Sequence, residues 1–136
     1  MVKPDGINWK MWERDDYPNW SLPALEAAKC AAFQSPEAAD DLHFRLFRGF
    51  FEEGINIAQP EELLALVRKA PLDFDRFLAD LTSGRARQAV LDDYNSAVTT
   101  YMVSAIPTVV FNDESPIVGA VPIGEYEKML EKLGVA

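Results

Sequence analysis

From Leu22 onward, apolar side chains return every three or four residues, which sets them on one stripe of a helix rather than one face of a strand. Leu22, Leu25, Ala28, Ala32 and Phe33 make the first stripe. Ser21 stands before it as an N-cap and Pro23 in its first turn, where a missing amide does no harm. Ser35 and Pro36 repeat that signal ahead of a helix running to about residue 53. This helix carries Leu42, Leu46 and Phe50 on one face and Phe44, Phe47 and Phe51 on another, an apolar girth that predicts contact on two sides. Gly54 closes it as a C-cap. Pro60 opens a third helix, with Glu61 and Glu62 near its positive end and Leu63, Leu64 and Val67 inside. Pro71 breaks it, Asp73 caps a short fourth helix bearing Phe74, Phe77, Leu78 and Leu81, and Gly84 breaks that one. A fifth, over about residues 85–101, has Val90, Leu91, Tyr94, Ala97, Val98 and Tyr101 at helical spacing.

Near both ends the period changes. Ile7, Trp9 and Met11 alternate, which predicts one strand over residues 7–12, and residues 14–19 read as loop. Pro107 heads the β-branched run Thr108, Val109, Val110, Phe111, a position where a strand tolerates proline. A polar turn over residues 112–115 leads to a second apolar run over 116–121, so the pair reads as a hairpin. A last helix over residues 123–133 turns Tyr126, Met129, Leu130 and Leu133 inward, and Gly134 stops it. With no internal repeat or linker, residues 1–136 read as one domain: strand, five helices, two strands, helix.

Composition narrows the partners. The chain has 136 residues, is 49% hydrophobic and carries a net charge of −9, which disfavours nucleic acid and anionic membrane as partners. It shows no basic and apolar leader and no apolar run of membrane-spanning length, so a soluble, cytoplasmic protein is expected.

The chemistry-bearing residues are sparse. Cys30 is the single cysteine, so no Cys-x-x-Cys pair exists within the chain, and its place among alanines reads as a small helix residue. His43 is the single histidine and lacks an obvious cysteine or serine partner. Asp40 and Asp41 with His43, and Glu52 with Glu53, do not converge on a metal, because neighbours on a helix point about 100° apart. The expected catalytic and metal residues are therefore none. Trp9, Trp12 and Trp20 cluster early in the chain and read first as packing, second as anchors of a groove or dimer contact.

Four stretches carry a resemblance: residues 21–28 (SLPALEAA), residues 46–54 (LFRGFFEEG) with Ile57 after them, residues 105–111 (AIPTVVF) and residues 119–122 (GAVP). In their order and spacing, over about residues 7–133, the chain resembles the DsbA-type thioredoxin-fold proteins. The nearest branch is that of FrnE and the 2-hydroxychromene-2-carboxylate isomerase-like proteins, with kappa-class glutathione transferases as relatives. The resemblance implies an α/β thioredoxin-like fold with a helical insertion over about residues 21–101. It implies a cis Ile106–Pro107 bond and a substrate-binding loop of Ala105, Ile106, Pro107 and Thr108, with main-chain contacts from Ala105 and Ile106 to a thiol or peptide. Met102 and Ala105 stand where the family usually has glycine.

The match begins at the family's second strand. The first β-α unit, whose helix tip bears Cys-x-x-Cys or serine, is expected to be absent. Residues 7–12 would then fill the vacant slot or pair with another chain, giving a homo-oligomer. Three functions follow from the resemblance. One is a redox-inactive binding or assembly module. Another is a fragment of an active protein disulfide oxidoreductase. The third is a glutathione-dependent isomerase or transferase completed by another chain, with glutathione as the possible cofactor.

Overall fold

The computed structural model describes residues 8–113 and 115–135. The chain divides into two compact units, Met1–Leu91 and Asp92–Ala136.

The first unit holds α1 (Leu22–Ala32), α2 (Pro36–Arg48), a π-helical turn (Gly49–Glu53), α3 (Pro60–Val67), α4 (Phe74–Thr82) and the start of α5 (Arg85–Thr99). Caps set several boundaries. The Ser35 hydroxyl accepts from the Ala38 amide at 3.1 Å, and the Asp73 carboxylate accepts from the Arg76 amide at 2.9 Å. Ser21 differs from the expectation. Its backbone is already helical, its side chain caps nothing, and its carbonyl accepts from the Leu25 amide at 3.0 Å. The long helix expected to reach residue 53 is α2 followed by the wider π-turn, and Gly54 closes it in the left-handed region at φ 69°. At Gly49, where the winding changes, a Cβ would lie 2.6 Å from Leu66 Cδ1 of α3, so the Leu66 methyl would have to shift. Glycine thus lets the π-turn approach α3 closely.

Cys30, Leu42, Val67 and Phe77 are fully enclosed where α1 to α4 meet. The small residues Ala27 and Ala31 are buried with them and let α1 lie close to its neighbours.

The second unit contains the rest of α5, then β1 (Thr108–Phe111), β2 (Ser115–Val118) and α6 (Ile123–Lys132). The strands pair antiparallel with Thr108 opposite Val118 and Val110 opposite Pro116. Asn112 and Asp113 turn the chain at φ 49° and 60°, a region both residue types tolerate. Tyr126 and Met129 of α6 are half-buried rather than enclosed, and no described residue from 92 to 135 is buried.

One expected element does not form. Ile7 lies outside the described residues, and residues 8–13 have no regular structure. A single ladder-like bond joins the Lys10 amide to the Phe51 carbonyl at 2.8 Å. Aromatic packing decides this segment: the Trp9 ring lies 4.4 Å from Phe51, and Trp12 sits 5.6 Å from both Tyr17 and Phe50. A helical turn offers rings but no strand edge, so the alternating pattern finds no ladder.

Candidate functional site

After α5 the backbone turns sharply. The Val103 amide donates to the Ala97 carbonyl at 2.9 Å, and Met102 takes φ 53°, a conformation glycine adopts more easily. The chain then reaches the Ile106–Pro107 bond, which is cis, as the resemblance implies. Two contacts pin this loop onto the hairpin. The Thr108 hydroxyl donates to the Ala105 carbonyl at 2.7 Å, and the Gly119 amide donates to the Pro107 carbonyl at 2.7 Å. The four loop residues therefore stand together, but in unlike roles. Ala105 has its carbonyl engaged by Thr108, which takes one of its two acceptor positions. Ile106 projects outward at 90% exposure, and among the described residues nothing bonds its amide or carbonyl. Among the described residues, moreover, β1 pairs only with β2, so no described strand takes its other edge.

The reactive candidates lie elsewhere. Cys30 is fully enclosed in the first unit. Burial pushes its thiol up to about 12, with Asp80 and Glu26 adding to the effect and Arg85 opposing it. It is a neutral packing group. His43 lies against Phe44 and Phe47, its ring 4.7 Å from the latter. Asp41 is bound by Arg45, and Glu52 lies 3.8 Å from Arg48. No described residues form a cluster of three or more metal-ligating side chains.

Two polar arrangements were not legible in the sequence. The Arg14 guanidinium donates to both oxygens of Glu62 at 2.7 Å and to Asp16 at 2.6 and 2.8 Å. Asn56, nearly enclosed, donates to the Asp16 carbonyl at 2.6 Å and takes the Ala58 amide at 3.1 Å. Asn56, then Arg14, holds the Asp16 carboxyl below its ordinary range, and Arg14 does the same for Glu62. This knot fastens the segment before α1 to the start of α3. Secondly, the buried Glu26 of α1 accepts from Arg87 of α5 at 2.7 Å. The pair edges a cleft of about 410 Å³ floored by Leu63, Leu64 and Leu81. A carboxylate in SLPALEAA gives no hint of a partner 61 positions away.

The three tryptophans are not simply core: Trp9 and Trp20 are 55% and 56% exposed. Trp9 joins His43, Phe44, Phe47 and Phe51 in lining a groove of about 550 Å³ on the first unit.

The family described as Thioredoxin matches residues 3–129. The chain belongs to the thioredoxin family. Its mixture of helices with a two-stranded sheet is thioredoxin-like α/β architecture. This thioredoxin-family chain is 35% identical over 114 residues to the ClpXP adapter protein SpxH of Shouchella clausii (strain KSM-K16). The likeness covers 79% of the chain but 37% of SpxH, so the chain spans little more than a third of that relative's length. Among the described residues, no helix is long and apolar enough to cross a membrane.

Proposed function

We propose that this thioredoxin-family chain works by recognition rather than by thiol-disulfide exchange, as an adapter-type module that holds a segment of another protein. The observation that carries the reading is the pairing of an outward Ile106, beside a strand edge that no described strand takes, with a lone, enclosed Cys30. An unpaired edge next to an exposed apolar side chain suits an extended peptide. The peptide's backbone would bond along β1, and its side chain would pack on Ile106 and Pro107. Ile106 supplies the main-chain contacts here, while Ala105 and Thr108 brace the loop against each other. The enclosed Cys30 thiol offers no thiolate to a disulfide.

The likeness to SpxH, which is named an adapter protein for ClpXP, supports a protein as partner. The motifs at residues 46–54 and 105–111 support the finer placement in the FrnE and isomerase-like branch. Glutathione is the small thiol the same loop would take if the ligand is not a peptide.

Titration with carboxamidomethylated insulin B chain, an extended polypeptide without free thiols, tests the reading. Binding is expected to weaken about 10-fold or more in Ile106→Asp and to stay unchanged in Cys30→Ala. Turnover of intact insulin to its reduced chains, or saturable binding of glutathione with none of the B chain, would replace this reading by an enzymatic one.

A further inference from the structure

We propose that the outer face of α2 and the π-turn is a second docking site, independent of the β1 edge, for a basic amphipathic helix of a partner protein. Glu37, Asp40, Phe44, Phe47 and Phe51 follow one another at intervals of three and four, so they share one face. Phe44 and Phe47 are 65% and 52% exposed. The rings brace one another: Phe47 stacks 6.0 Å from Phe51, which in turn lies 4.4 Å from Trp9. An exposed aromatic groove of this kind marks an interaction surface rather than ordinary solvent-facing helix.

Charge names the occupant. The two arginines of α2 are already matched within the chain, Arg45 by Asp41 and Arg48 by Glu52 at 3.8 Å. Glu37 and Asp40 lie exposed a turn or two before the rings. The face therefore runs from an acidic end to an aromatic end, about 15 Å from Glu37 to Phe47 for ten α-helical steps of about 1.5 Å. Its complement is a helix with an apolar stripe and lysine or arginine at one end, laid along the groove by its stripe. A second copy of this chain fits poorly, because each copy carries a net charge of −9 and would bring the same acidic end.

Fluorescence anisotropy on the full chain, with two labelled synthetic helices, tests this. One helix has leucines at i, i+3, i+4 and i+7 and lysines flanking them; the other replaces each lysine by glutamate. The lysine helix is expected to bind at least about 10-fold tighter than the glutamate helix. Phe44→Ala with Phe47→Ala should weaken it about 10-fold or more, and Glu37→Gln with Asp40→Asn should weaken it and flatten its salt dependence. These residues are exposed, so unchanged circular dichroism and melting identify the loss as one of binding. Ile106→Asp should leave this affinity unchanged, which separates the two sites. Equal affinity for the two helices, or lysine-helix binding indifferent to the phenylalanine substitutions, overturns the proposal. So does a concentration-dependent dimer of the free chain abolished by those substitutions.

Discussion

Cys30 carries the argument against redox chemistry at its most local. A thiol that burial pushes up to about 12 holds very little thiolate near neutral pH, and it is enclosed besides. Modification by Ellman's reagent at pH 8 should be negligible in the folded protein and rapid in guanidinium chloride. Rapid reaction without denaturant would show that Cys30 is open and ionisable. Its neutrality was partly legible in the run of alanines around it. Glu26 lies one turn before it on the same helix, but Asp80 was not legible, since it arrives from α4, far along the chain. The Ile106 loop shows the same division. The resemblance implied the cis bond and named four residues, but the fold separates Ile106, whose amide and carbonyl bond to none of the described residues, from Ala105, whose carbonyl accepts from Thr108.

Elements formed where local chemistry and packing agree. Ser35, Pro36, Asp73 and Gly54 mark ends that the structure keeps, because a cap is satisfied within a few residues. Ser21 fails as a side-chain cap although its sequence context is similar, and residues 8–13 fail as a strand because a ladder needs a partner. Gly49 was not legible as a packing glycine, since its reason lies on α3. Gly49→Val should destabilise the first unit by about 1–3 kcal/mol in chemical denaturation, the usual range for overpacking. No loss would mean that Leu66 moves aside freely.

The Arg14 knot makes the join before α1 sensitive to acid. Asp16 and Glu62 are held below their ordinary values of 3.8 and 4.5, so their contribution is present above those values and lost as pH falls through the lowered ones. Amide exchange in residues 14–20 should rise as pH is lowered below about 4.5, once corrected for intrinsic rates. In Glu62→Gln it should already be raised at pH 7. Protection unchanged down to pH 3 would mean that the knot does not hold the segment.

The two units differ in how they are packed. The first encloses a core of α1 to α4, and among the described residues the second buries nothing. A hairpin without a buried face is marginal alone, and elements so lightly packed open readily. This suits the proposed surface, which would gain order by taking up another chain. Hydrogen exchange of the full chain with and without carboxamidomethylated insulin B chain reads that most directly. New protection is expected at Ile106 and along β1, equal in Cys30→Ala and lost in Ile106→Asp. A footprint that spares residues 106–111, or one that disappears with Cys30, would contradict recognition at this edge.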